Sequence, residues 1–306
     1  MKIHVKVPAT TANLGPGFDA LGLTLNLWNE AEFQCTDDSD QIAVSVQGEG
    51  IEKLPQNEEN AIAQAALMIY DLAGKSCPGL RIECLNRIPL GSGMGSSSAA
   101  MLTGMLGANG LLGNPFTDEE ILKLAIETEG HPDNVAPAML GGLVASIVHN
   151  ERVFSMRLPT KANHGPIHAT VVLPDFEFPT QTARALLPKT VERSEAIFNL
   201  SRVVLVTEAL RTGNMELLGI AMKDSLHQPY RLPLIPGAID ALKAGKDAGA
   251  SAVALSGAGP SLIAFSPKED PVIGAAMEAA FATADLDVRI FELGTSYEGA
   301  EVTIVG

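Results

Sequence analysis

The sequence predicts an α+β protein of two domains, and three observations carry that prediction. Apolar residues alternate at period two through much of the first third, whereas the second half mixes a strand with a run of helices. Between them, residues 159–166 contain two prolines, a glycine and no apolar period, as a linker would. A chain of 306 residues with 46% hydrophobic content also lies above the size, about 250–300 residues, at which single cores stop growing. The expected domains are therefore 1–160 and 161–306.

Taken in order, residues 2–7 alternate as a half-buried strand does. Leu21, Leu23, Leu25 and Leu27 repeat the pattern, as do Ile42, Val44 and Val46, and then Leu80, Ile82 and Cys84. A helix is expected over 58–73, where Ile62, Ala65, Ala66, Ile69 and Leu72 share one face and Gly74 supplies a stop. After a glycine-rich stretch at 91–95, residues 96–112 read as a buried helix of small and apolar residues. Residues 119–129 form a third helix, ended by Gly130 and Pro132, before strands near 141–149 and 152–158. The second half reads as a strand at 167–173 and helices near 180–187, 194–210, 214–225 and 237–248. Two short strands then flank Gly257-Ala258-Gly259-Pro260, followed by a helix at 271–284 and closing strands. No internal repeat is present.

Composition excludes several classes of function. A formal net charge of −15 argues against nucleic acid as partner, since binding a phosphate backbone requires clustered Lys and Arg. Cys35, Cys77 and Cys84 are odd in number and match no zinc or redox spacing, which fits buried thiols in a reducing compartment. The N-terminus alternates rather than forming a signal peptide, and Gly, Ser, Asn and Pro interrupt the uncharged stretch 88–117 where a bilayer helix would need about 20 mostly apolar residues. A soluble, cytoplasmic protein without a membrane partner is expected.

The sharpest chemical signal is Pro89-Leu90-Gly91-Ser92-Gly93-Met94-Gly95-Ser96-Ser97-Ser98-Ala99-Ala100, which follows a strand and opens a helix. Its three glycines let the backbone approach a ligand closely, and free amides at a helix N-terminus attract an anion, so the segment suits phosphate. It lacks the Gly-Lys-Ser/Thr ending of the common NTPase loop and the dinucleotide glycine spacing. A structural glycine turn is the plainer alternative.

Five more segments stand out. Pro8-Ala9-Thr10-Thr11-Ala12-Asn13-Leu14-Gly15-Pro16-Gly17-Phe18-Asp19 lies between two strands and offers an amide and a carboxylate, or simply closes an Asx turn. Glu127-Thr128-Glu129-Gly130-His131-Pro132-Asp133-Asn134 gathers acids at a helix end, which solvent alone would also explain. Pro179-Thr180-Gln181-Thr182-Ala183-Arg184 and Gln228-Pro229-Tyr230-Arg231-Leu232-Pro233 each present one arginine, the residue that grips carboxylates bidentately and is otherwise usually a solvated charge. Ser256-Gly257-Ala258-Gly259-Pro260-Ser261 is a glycine turn that lets two backbones meet.

These segments, in this order over residues 8–261, resemble the motifs of the GHMP kinase family, with Met94 where the family's phosphate loop usually has Leu. The resemblance implies a two-domain GHMP kinase fold, with an N-terminal domain like part of a ribosomal protein, a ferredoxin-like C-terminal domain and the site between them, often as a homodimer. It implies ATP and Mg²⁺ as cofactors, with Pro89, Leu90, Gly91, Ser92, Gly93, Met94, Gly95, Ser96 and Ser97 at the nucleotide and Ser97 and Glu129 at the metal. Glu127 is the alternative metal carboxylate, and residues near 57–60 are placed to meet adenine. The 8–19 segment looks like the signature of members that phosphorylate L-homoserine on its side-chain hydroxyl, a step of threonine biosynthesis. Asn13, Asp19, His131, Asn134, Thr180, Arg184 and Arg231 would then contact that acceptor. Asp19, Asn134 and Glu129 are the candidate catalytic residues, with Asp133 a further candidate base, although the hydroxyl proton could equally pass to phosphate. A relative acting on a mevalonate-type or sugar acceptor, and a non-catalytic sensor, are the rival readings.

Overall fold

A computed structural model describes residues 1–36, 41–150, 152–159 and 167–305. Its strands are β1 (Lys2–Ala12), β2 (Leu21–Thr36), β3 (Ile42–Gly48), β4 (Gly79–Asn86), β5 (Leu143–His149), β6 (Arg152–Arg157), β7 (His168–Pro174), β8 (Ala252–Leu255), β9 (Leu262–Ser266), β10 (Val288–Gly294) and β11 (Glu301–Val305). Its helices are α1 (Ala61–Leu72), α2 (Ser96–Leu111), α3 (Asp118–Glu129), α4 (Pro132–Leu140), α5 (Thr180–Ala185), α6 (Arg193–Thr212), α7 (Met215–Ala221), α8 (Gln228–Arg231), α9 (Ala238–Asp247) and α10 (Pro271–Ala282). Apart from Pro159, the linker expected at 159–166 lies outside the described residues.

The first sheet runs β11-β1-β2-β4-β3. The long β2 serves two neighbours, since its Leu21–Leu23 end pairs with β5 and its Glu30–Thr36 end with β4; β6 extends the sheet beyond β5. Helices α1 to α4 cover it. Because α2 is buried on nearly every side, its small residues set how closely the layers approach: Gly104 meets the Ile62 carbonyl of α1, and Gly107 lies against the Phe33 ring. The C-terminal strand β11 returns to this first sheet, antiparallel to β1.

The second sheet is antiparallel, in the order β10-β7-β9-β8. Period-two alternation divides its strands between two cores. Ala169, Val171, Ile263 and Phe265 join the core that runs through α6, α7 and the first sheet, while Val172, Leu262 and Ala264 pack with Ala238, Ala241, Ile273 and Phe281 of α9 and α10. The α+β class is the one anticipated.

Two helix predictions need correction. The helix expected over 58–73 starts at Ala61, because the Asn60 side chain accepts from the Ile62 amide at 3.0 Å and caps it. Helix α4 was missed because Pro132 read as a breaker. Pro132 sits in its first turn, where no amide is needed. Pro137 leaves the Asp133 carbonyl without its helical donor, and Gly22 of β2, lacking a Cβ, packs against that carbonyl.

Candidate active site

Three glycine-bearing turns converge at one end of α2. The chain leaves β4 under control of Asn29, whose Oδ1 accepts from the amides of Arg87 and Ile88 at 2.8 and 2.9 Å. It then turns through Gly91, Gly93 and Gly95, each in the left-handed region, with φ of 60°, 77° and 73°. Space explains two of the three. A Cβ on Gly93 would strike the Ser256 carbonyl, and one on Gly95 would strike the Thr10 hydroxyl, whereas Gly91 has nothing within 4 Å. Ser256 Oγ donates to the Gly93 carbonyl at 2.8 Å, the Thr10 amide to that of Met94 at 3.1 Å, and Asn13 Nδ2 to that of Gly257 at 2.8 Å. The loop, the 8–19 segment and the 256–261 turn are thus one interlocked body.

No side chain caps α2, so its first-turn amides have neither an intrahelical nor a capping partner. They border a cleft of about 280 Å³ that is lined as well by Glu129, His131, Asn134, Thr180, Arg184 and Arg231. Glu129 reaches the loop: its Oε2 accepts from Ser97 Oγ and its Oε1 from Ser98 Oγ, both at 3.2 Å. Glu127 instead pairs with Lys123 on a solvent-facing surface of α3. Among the described residues no cluster of three or more His, Cys, Asp or Glu is built to hold a metal unaided. Magnesium needs none, because it keeps waters and combines one or two carboxylates with phosphate oxygens, and the Ser97–Glu129 pair fits that pattern.

Two arginines line the cleft, and their charge is handled in two ways. Arg184 donates from Nη2 to Asp19 Oδ1 at 2.7 Å and from Nη1 to Oδ2 at 3.0 Å, a bidentate pair that raises its pKa above the ordinary arginine value. Arg231 is 1% exposed, and among the described residues no carboxylate lies within 4 Å of it. Its Nε donates to the Ala183 carbonyl at 3.1 Å and its Nη1 approaches His227 Nδ1 at 3.4 Å. Burial first, then repulsion from Arg184, lowers its pKa to about 10, so it remains a cation at neutral pH. The Phe18 ring lies 5.8 Å from the Arg184 guanidinium and 5.3 Å from that of Arg231.

Most sequence-nominated residues meet here, several of them differently engaged than expected. Asn13 is buried, with its Oδ1 accepting from the Asp19 amide at 3.1 Å and its Nδ2 already bound to Gly257, so its amide closes the loop. Asp19 was expected to face the acceptor freely; both its oxygens instead receive Arg184, which lies 165 residues later in the chain. Asn134 Oδ1 accepts from Thr10 Oγ1 at 2.9 Å. His131 Nδ1 lies 2.8 Å from Oδ1 of the buried Asp133; burial pulls this imidazole down, but the hydrogen bond and charge of Asp133 outweigh it and raise its pKa. Asn60, nominated for adenine, is committed to capping α1, and Asn57 Oδ1 accepts from the Glu59 amide.

Sequence reasoning missed Phe18, Ser98, Gln181 and His227. Phe18, Ser98 and Gln181 lie inside quoted segments and line the cleft. His227 precedes Arg231 by four residues, a helical spacing that would have paired them.

Comparison with known proteins gives a consistent result. Residues 60–142 match the GHMP kinases N terminal domain and residues 206–282 the GHMP kinases C terminal domain. The homoserine kinase of Moorella thermoacetica is 44% identical over 298 residues, covering 97% of this chain and 99% of that protein. The crystal structure of homoserine kinase from Cytophaga hutchinsonii superposes with a TM-score of 0.86 at 32% identity, covering 99% of this chain and 97% of that one. The L. major mevalonate kinase, at 15% identity and a TM-score of 0.74, shares the fold.

Proposed function

This chain belongs to the homoserine kinase family of GHMP kinases, which use ATP to convert L-homoserine to O-phospho-L-homoserine in threonine biosynthesis, and from that premise we propose how its cleft divides the work. The uncapped amides of α2 and the 91–97 loop receive the triphosphate, because partial positive charge there offsets the anion in a protein that otherwise repels it. Ser97 and Glu129 would hold Mg²⁺, which when bound supplies neutralisation of phosphate oxygens. Arg231 receives the acceptor's carboxylate, and the single observation that carries this reading is a buried guanidinium, open to the cleft, with no carboxylate of its own.

Arg184, held by Asp19, widens the same positive region. His131, Asn134 and Thr180 line the same cleft and orient the amine and hydroxyl of the acceptor. Phosphoryl transfer depends chiefly on positioning and charge neutralisation, so the protein need not donate a covalent group. With Asp19 engaged by Arg184, Asp133 by His131 and Glu129 by Ser97 and Ser98, none of the three nominated carboxylates is a free base. This engagement supports direct passage of the hydroxyl proton to a phosphoryl oxygen.

ADP release measured against homoserine, mevalonate, shikimate and galactose tests the acceptor. Homoserine should lead the others in kcat/KM by at least about 100-fold, since a site built to pair a substrate's charges rejects analogues that lack them. Comparable turnover of mevalonate, which has a carboxylate but no amine, would defeat the assignment.

For the metal, Glu129→Gln should move the midpoint of Mg²⁺ activation upward by about tenfold, because one anionic ligand becomes neutral. Glu127→Gln should leave the midpoint in place. The reverse pattern would transfer the role to Glu127.

A further inference from the structure

We propose that His227 is a positioning residue for acceptor recognition: it joins the Gly15 carbonyl to the Arg231 guanidinium, so that the loop bearing Phe18 and the arginine are presented as one unit. This rests on the reading of Arg231 as the carboxylate receptor.

His227 has no solvent exposure and does not line the cleft, so any effect it has on the acceptor passes through its neighbours. Its Nε2 lies 2.9 Å from the Gly15 carbonyl. A carbonyl only accepts, so Nε2 carries the hydrogen and Nδ1 turns its lone pair toward Arg231 Nη1, 3.4 Å away. That tautomer requires a neutral ring. Burial, the largest influence, lowers the pKa of His227 against the opposing charge of Asp224, whose Oδ2 is 3.6 Å from Nε2 and also accepts from the His227 and Gln228 amides. A protonated ring would set a second N–H against the guanidinium.

The tie acts on a loop that needs one. Asn13, Leu14 and Gly15 are consecutively left-handed, with φ of 70°, 46° and 72°, and Gly15 packs so tightly on the Met222 carbonyl that a Cβ would collide with it. Phe18, three residues on, stacks on His227 at 5.2 Å between centroids, and the same ring lies 5.3 Å from Arg231. Arg231 is thus fixed from α5 by Ala183 and from the 227 side by the imidazole, which leaves Nη2 for a ligand. The Gly15, Phe18 and Arg231 contacts converge on this one ring.

Two amide replacements separate the contacts. His227→Gln places its amide near the Nε2 position and keeps the tie to Gly15, whereas His227→Asn keeps an acceptor near Nδ1. The Gln variant should raise KM for homoserine by about 10- to 30-fold, the loss expected for a hydrogen bond to a charged group, with KM for ATP and kcat within about threefold of wild type. The Asn variant should raise it by less than about fivefold. In an Arg231→Lys background, which already lacks the planar fork, the Gln penalty should fall below about threefold.

A penalty that is unchanged in that background, equal for the two amides, or shared with ATP would overturn the proposal. If Arg231→Lys alone leaves KM for homoserine unchanged, the receptor reading fails first and this inference fails with it. Should neither amide variant melt as wild type does, both are assayed below their melting midpoints, with homoserine and ATP each varied. A KM increase confined to homoserine would then support the proposal, and none would overturn it.

Discussion

Replacing Arg231 with Leu is expected to raise KM for homoserine by about 30- to 1000-fold, worth about 2–4 kcal/mol, while KM for ATP moves by less than about threefold. The asymmetry follows from contacts, because Arg231 is held by Ala183, His227 and the Phe18 ring, none of which belongs to the 91–97 loop. Its size follows from burial. A guanidinium that is 1% exposed and lacks a carboxylate has lost its hydration without a compensating ion pair, so an incoming carboxylate gains far more there than at the half-exposed Arg184. The folded protein should tolerate the change, since the cost of an unpaired buried charge disappears along with two hydrogen bonds. Steady-state kinetics with each substrate varied, together with a thermal melt, decide the matter. Equal loss of both affinities, or a collapsed melting temperature, would remove the receptor role.

Gly93→Ala should lower kcat/KM for ATP by about 100-fold or more, whereas Gly91→Ala, two residues earlier, should lower it by less than about tenfold. Both glycines are left-handed, so both substitutions carry the usual steric cost of about 1–2 kcal/mol. Only Gly93 faces an obstacle. A methyl there would overlap the Ser256 carbonyl and fall 2.9 Å from that of Gly259, and neither is a side chain that can swing away. The 256–261 turn cannot retreat freely either, because Ser256, Gly257 and Asn13 bind it to the 8–19 segment. The phosphate loop must therefore shift, and a displacement of about 1 Å at a positioned reactant is worth about two orders of magnitude. Similar penalties at the two glycines would show that loop packing does not set nucleotide affinity.

Much of this fold was legible from the chain alone. Strand alternation in the first third and the mixture of strand and helices in the second half indicated the α+β class, and the glycine loop before a helix of small residues lines the cleft. The errors share a cause. The start of α1 depends on the Asn60 side chain, and α4 was hidden by Pro132, which is harmless where it stands. Glu127 and Glu129 look equivalent in sequence, yet α3 directs one to Lys123 and the other to Ser97 and Ser98.

By itself the sequence determined most of the order of elements, the location of a glycine-rich turn at a helix N-terminus and the two arginines that line the cleft. Those properties are local, because periodicity, capping and glycine freedom act over a few residues. Only the tertiary structure decided that Asp19 is taken by Arg184, that Arg231 is buried with no carboxylate of the described residues within 4 Å, and that His227 lies between it and Gly15. Burial and ion pairing depend on segments 48 to 212 residues apart closing on one cleft, and no window along the chain contains that distance.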